Sequence, residues 1–363
     1  MKSCLSFLID FRISNRSDSL EATTNWHVYN SQLSAVQVLV QLCEVDNHPI
    51  RENAVKLFRC LIEDEDKDTF LEHVGQRCIE TLLRIIKTSD DVEEIAAAMG
   101  IISKLPMDPK LNQLLIDAEA VQTIFACLTD GNKNDLHKRQ VIENAVGALC
   151  RFTVSTNQEW QKIVAEAGLI PVLVHLLVSG TALTKQNAAI SLKQFSQSSV
   201  SLSKPIKKRG IFQCCLAAPE TGCPVHLGIC TVESSFCILQ ANALEPLVRM
   251  LGEPDIGPCE ASLDALLTLI DDERLQSGSK VLAEANAIVP IIKLLSSPSE
   301  KLQEKSLTAL ERIFRLVEFK LKYGTSAQMP LVEIAQRKNS QMKSLAARVL
   351  AQLNVLGQQS SFF

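Results

Sequence analysis

A chain of 363 residues that is 46% hydrophobic and 5% aromatic carries enough apolar material for an extensive buried core. A compact fold of that length usually divides in two, whereas a repeat array grows without enlarging any single core. The net charge of −4 excludes a general attraction to nucleic acid or to anionic lipid, and twelve cysteines over this length exclude a small disulfide scaffold, so a reducing, cytoplasmic setting is expected.

Residues 1–30 match nothing downstream and are expected to be disordered. Their apolar run Cys4–Phe11 is interrupted by Asp10 and is too short to cross a bilayer. From residue 31 to residue 356 the pattern is helical, and residues 160–195 display its unit most clearly. Ala167–Gly168 ends a first helix, because glycine accepts a left-handed cap without steric cost. Pro171 opens a second, since a first-turn residue needs no intrahelical N–H donor. Gly180 breaks that helix before a third carrying Ala188, Ala189 and Leu192 at helical spacing.

The unit recurs. Anchors at the end of the second helix are Cys43, Ile86, Leu128, Leu177, Leu251, Leu295 and Ala335, separated by 43, 42, 49, 74, 44 and 40 residues. Anchors in the third helix are Phe58, Ile102, Leu149, Leu192, Leu266, Leu310 and Leu350, separated by 44, 47, 43, 74, 44 and 40. Two independent registers share one period and one excess. A period of roughly 40–47 residues with two or three helices is the armadillo/HEAT signature. Pro171, Pro246, Pro290 and Pro330, five or six residues before their anchors, favour armadillo. The expected fold class is all-α: a right-handed superhelical armadillo (ARM) solenoid of seven repeats over residues 31–356, with a polar tail at 357–363.

Asn53, Asn144 and Asn187 each stand five residues before their third-helix anchor. Asparagine is unfavourable inside a helix, so its return at one register asks for a purpose. In armadillo proteins third helices line a concave groove, where an asparagine ladder holds the backbone of an extended peptide. The alternative is that each asparagine bridges to a neighbouring repeat. Arg151 and Trp160 are further candidates for the groove edge, with a structural role open for Trp160.

The excess between repeats four and five maps to residues 197–231, a stretch rich in Ser, Pro, Gly and Cys whose helical periodicity lapses. Three readings compete there. Lys204, Lys207, Lys208 and Arg209, followed by an acylated Cys214–Cys215 pair, would suit an anionic membrane surface. Cys214 or Cys215 with Cys223, His226 and Cys230 would offer zinc the right ligand types. Without a second C-x-x-C motif, the expectation is instead a solvated insertion with no metal and no cofactor. His175, in the middle of an apolar helix, is expected to be buried. No phosphate-binding loop, nucleophile elbow or H-E-x-x-H motif is present, and no basic stripe with interleaved aromatics suggests nucleic acid.

The wording of several segments is informative in itself: ENAVGALCRFT, NQEWQKIVAEAGLIPVLVHLL, APETGCPVHLGICTVESSFC, CEASLDALLTLID and MKSLAARVLAQLNVL. Over residues 31–363 the chain resembles the armadillo region of plant U-box E3 ubiquitin ligases, most nearly the senescence-associated U-box domain-containing 43/44 type. That resemblance implies a protein-interaction scaffold that recognises partners or ubiquitination substrates and associates with the plasma membrane; homo-oligomerisation is a further expectation, as the route by which a U-box would be supplied in trans. No U-box, with its proline-rich C-P-I-T-type opening, is found in this sequence. The expectation is therefore recognition without catalysis; the alternative is a complete E3 ligase whose U-box is absent from this sequence or supplied in trans.

Overall fold

The computed structural model describes residues 35–64, 74–129, 136–205, 222–336 and 340–359. These residues form α-helices and a single antiparallel pair of two-residue strands, and they separate into two compact units that meet in sequence at Phe152 and Thr153. The predicted disordered segment 1–30 lies outside the described residues.

The first unit holds repeats one to three. Its helices are α1 (Ala35–Cys43) and α2 (His48–Asp64), α3 (Gln76–Thr88) and α4 (Val92–Lys104), then α5 (Pro109–Asp117), α6 (Ala120–Thr129) and α7 (Leu136–Leu149). The third helices α2, α4 and α7 pack in succession, with anchors Phe58, Ile102 and Leu149 fully buried between them. Asp91 and Asp108 start α4 and α5 by accepting hydrogen bonds from Glu93 N and Leu111 N. Pro109 occupies the first turn of α5, as a residue without an N–H can. The buried Glu94 carboxylate receives Arg51 Nε at 2.6 Å, tying repeat one to repeat two.

The second unit holds repeats four to seven. It contains α8 (Gln158–Glu166), α9 (Leu169–Ser179), α10 (Ala182–Leu202), α11 (Val232–Ser235), α12 (Leu244–Met250) and α13 (Ile256–Leu267). After two 3-10 turns follow α14 (Leu275–Glu284), α15 (Ile288–Lys293), α16 (Glu300–Ile313), α17 (Val317–Gln336) and α18 (Ser340–Gln359). The third helices α10, α13, α16 and α18 pack in order, burying Leu192, Leu266 and Leu310. Asn157, Thr181 and Ser299 cap α8, α10 and α16.

The turn between first and second helices has its own register. Glu119, Gly168, Asn242 and Asn286 all have left-handed φ, and each lies nine residues before its second-helix anchor. Glycine and asparagine accept that conformation readily; Glu119 does so against preference. The last repeat lacks such a residue, and α17 runs unbroken through Pro330 instead of restarting there. Its buried anchors are Ile334 and Val349, one residue earlier than Ala335 and Leu350, which are only half-buried. Both shift together, so the repeat is one residue shorter than the sequence suggested.

Other boundaries differ as well. Helix α10 continues through Leu202, six residues into the predicted insertion. Ser196, Ser198 and Ser199 are buried in it, and Ser196 Oγ meets Thr268 Oγ1 at 2.6 Å. Small serines at a close helix contact carry the periodicity that large apolar residues carry elsewhere. The backbone of α18 likewise continues through Gln359, inside the predicted tail. Among the described residues no single helix is long and apolar enough to cross a membrane; α8 and α9 together are, but they meet at 78° with Leu169, Leu173 and Leu177 buried.

Candidate functional site

The asparagine register has different uses in different repeats. Asn53 Nδ2 donates to Pro49 O of its own helix at 2.8 Å, and Asn187 is half-buried on α10. Asn144 Nδ2 donates instead across the repeat boundary, to Ala96 O in α4 at 2.7 Å. Gly100 makes that approach possible, since a Cβ there would lie 3.0 Å from Asn144 Nδ2. In repeat six Lys305 takes the same register and also reaches back one repeat, to Glu260 at 2.7 Å and Asp264 at 2.6 Å. For Asn144 the bridging alternative is therefore the observed one.

Arg151 and Trp160 are not surface groups: they are 2% and 8% exposed. The Arg151 guanidinium donates to Asn112 Oδ1 at 2.8 Å, to Leu105 O and Pro106 O at 2.9 Å each, and to Ile102 O. These carbonyls close the C-terminal end of α4, where a cation is favoured by the helix dipole and by orphan acceptors. Burial pulls the guanidinium down to about 10. Trp160 sits in the first turn of α8, its amide held by the Asn157 cap. His175, in contrast, is exposed on α9; one turn of an apolar helix faces outward there.

A polar cleft of ≈ 200 Å³ lies on the third helices of repeats four to six, lined by Lys193, Gln197, Asp264, Asp271, Thr308 and Arg312 among others. Lys193 pairs with Asp264 at 3.0 Å and Arg312 with Asp271 at 2.6 Å, so the charges are held in place across helix boundaries. Burial works against the Asp264 charge, but hydrogen bonds from Lys305 and Lys193 outweigh it and keep the carboxyl below its ordinary value. None of these six residues was singled out by the sequence, because isolated charges at helix surfaces look alike until the neighbouring helix is placed.

Of the membrane-contact candidates, only the backbone of Lys204 is described, in strand β1 (Lys204–Pro205) paired with β2 (Gly228–Ile229). Lys207, Lys208, Arg209, Cys214 and Cys215 lie outside the described residues. The zinc candidates Cys223, His226 and Cys230 do come together, and among the described residues a fourth ligand-type group beside them is Cys237, which the sequence did not single out. Cys223 Sγ and Cys230 Sγ lie 3.4 and 3.3 Å from His226 Nδ1, Cys237 Sγ lies 3.6 Å from it, and the sulfurs of Cys223 and Cys237 are 3.8 Å apart. Hydrogen bonds from Cys237 and then His226 favour thiolate at Cys223, whereas burial pushes the Cys230 thiol up. Cys237 was missed because it adjoins the apolar start of repeat five; its signal was the run C-x-x-H-x-x-x-C-x-x-x-x-x-x-C.

No protein-family model matches the chain. It is 27% identical over 354 residues to U-box domain-containing protein 44 of Arabidopsis thaliana, covering 91% of this chain and 44% of that protein. It is 28% identical over 354 residues to U-box domain-containing protein 24 of Oryza sativa subsp. japonica, covering 90% and 43%. The chain thus spans less than half the length of these curated relatives. Among solved structures, one designed armadillo repeat protein superposes with a TM-score of 0.56 at 20% identity, covering 77% of this chain and all of that one. Another, in complex with the peptide (KR)4, superposes with a TM-score of 0.55 at 19% identity, covering 77% of this chain. The chain has the armadillo-repeat fold, and its sequence matches a region of plant U-box domain-containing proteins.

Proposed function

We propose that this chain is a protein-interaction scaffold that holds an extended segment of a partner protein along its third helices. The observation that carries this reading is the polar cleft shared by α10, α13 and α16, where hydrogen-bonding side chains from three successive repeats face one strip of surface. An extended peptide has unsatisfied backbone donors and acceptors along its length, and such a strip can meet them repeat by repeat. The designed armadillo protein solved with (KR)4 supports the choice of a peptide as occupant. A selection from a random peptide library on the immobilised chain tests it. A linear motif is expected to emerge, with binding weakened at least about tenfold by Gln197→Arg; no enriched motif would contradict the reading.

The likeness to U-box proteins supports a narrower role, in which the captured partner is a target for ubiquitin transfer. On this reading the chain recognises and does not transfer. Incubated with E1, a panel of E2 enzymes, ubiquitin and ATP, it is expected to form no ubiquitin chains, while a full-length U-box relative does so. E2-dependent chain formation by these 363 residues would instead establish a complete ligase.

A further inference from the structure

We propose that Cys223, His226, Cys230 and Cys237 form a structural zinc site that clasps the base of the insertion between repeats four and five. Their four ligand atoms all lie within 4.8 Å of one another. A tetrahedral zinc with ordinary Zn–S and Zn–N bonds needs sulfur–sulfur edges of about 3.8 Å and sulfur–nitrogen edges of about 3.5 Å. The observed edges are 3.8 Å for the two sulfurs and 3.3, 3.4 and 3.6 Å to the imidazole nitrogen. Three sulfurs thus converge on one Nδ1 atom, which as a hydrogen-bond acceptor can serve only one thiol. A metal ion gives all four a partner at once.

The rest of the histidine fits that assignment. Among the described residues its buried Nε2 makes no hydrogen bond, so among them the ring is placed by what Nδ1 meets. The backbone is shaped towards the same point. Leu227 and Phe236 adopt left-handed φ of 52° and 53°, a conformation large apolar residues rarely take. Cys223 N donates to Gly228 O at 2.7 Å and Leu227 N to Cys223 O at 2.9 Å, making the tight turn that brings His226 back over Cys223. Helix α11, capped by Thr231, then returns the chain so that Cys237 completes the set. All three cysteines are buried. Zn²⁺ would be held by three thiolates and a neutral imidazole, any thiol protons still present leaving to solvent on binding, and four protein ligands leave no open position for chemistry.

The site also joins the insertion to the array. Phe236, next to Cys237, packs its ring on Phe195 of α10 with centroids 5.2 Å apart. A metal at these residues would therefore fix the end of the third helix of repeat four against the start of repeat five.

The test is elemental analysis of the full chain, produced with zinc and purified under reducing conditions, beside Co²⁺ substitution. About one zinc per chain is expected, and Co²⁺ should give the sulfur-to-metal charge-transfer bands of a tetrahedral thiolate site. Cys237→Ser and His226→Ala should lower zinc retention at least about tenfold, His226→Cys should restore it, and Cys60→Ser should leave it unchanged. Should Cys237→Ser fail to fold, the stoichiometry of the wild-type chain and the His226→Cys variant still decides. A metal-free wild-type chain in which Cys223, Cys230 and Cys237 are all freely titrating thiols would overturn the proposal. So would a Cys223–Cys237 disulfide, or zinc retained undiminished by folded Cys237→Ser and His226→Ala variants.

Discussion

Asn144 reaches across a repeat boundary to the carbonyl oxygen of Ala96, while Asn53, at the same register two repeats earlier, bonds within its own helix. The two substitutions should therefore differ. Asn144→Ala removes a half-buried inter-repeat hydrogen bond and is expected to cost about 1–2 kcal/mol. Asn53→Ala exchanges a poor helix former for the best one and should fall within about 0.5 kcal/mol of zero. Urea unfolding followed by circular dichroism measures both; equal losses would contradict the assignment.

Among the described residues Arg151 is buried against neutral acceptors, and its removal leaves the carbonyls of Ile102, Leu105 and Pro106 without it. Arg151→Met keeps volume but not the hydrogen bonds, and should destabilise the first unit by about 3–5 kcal/mol. Native-state hydrogen exchange should show the loss concentrated at the end of α4 and in α7. A loss below about 1 kcal/mol would mean that solvent or a neighbour replaces the guanidinium.

Gly278 in α14 stands where a Cβ would lie 1.9 Å from Leu269 O. Backbone cannot yield as a side chain can, so Gly278→Ala should cost about 1–3 kcal/mol despite alanine's better helix propensity. Gly257 offers the contrast, because its nearest neighbour is the flexible end of Gln186. Gly257→Ala should cost clearly less in the same unfolding measurement.

The Lys305 cluster has a pH signature. Burial opposes the charges of Glu260 and Asp264, but their hydrogen bonds to lysine prevail and hold both carboxyls below their ordinary values of 4.5 and 3.8. A carboxyl lowered on folding contributes stability that is full above its ordinary value and is lost as pH falls through its lowered one. The stability gap between wild type and Lys305→Met should accordingly narrow as pH drops from about 6 to about 3. A gap independent of pH would show that Lys305 contributes packing alone.

The period of the array was legible because burial between repeats forces apolar residues to return at fixed spacing: Phe58, Ile102, Leu149, Leu192, Leu266 and Leu310 are all buried as expected. Gly168 announced its turn by residue type. Glu119 did not, since nothing in a glutamate marks a left-handed turn, and only the common register with Gly168, Asn242 and Asn286 reveals it. The end of α10 was hidden by its serines, which look like loop in sequence yet fill a close helix contact. Arg151 was misplaced for a related reason: a charged residue reads as surface unless the carbonyls that satisfy it are known. Cys237 needed the fold of α11 to bring it beside Cys223.

The most direct measurement is an isothermal titration of a library-selected peptide against the wild-type chain, Gln197→Arg in the cleft, and Lys162→Ala on the exposed side of α8. Capture along the third helices predicts a loss of at least about tenfold in affinity for Gln197→Arg and no change for Lys162→Ala. Equal affinity for all three proteins would contradict partner binding on that face.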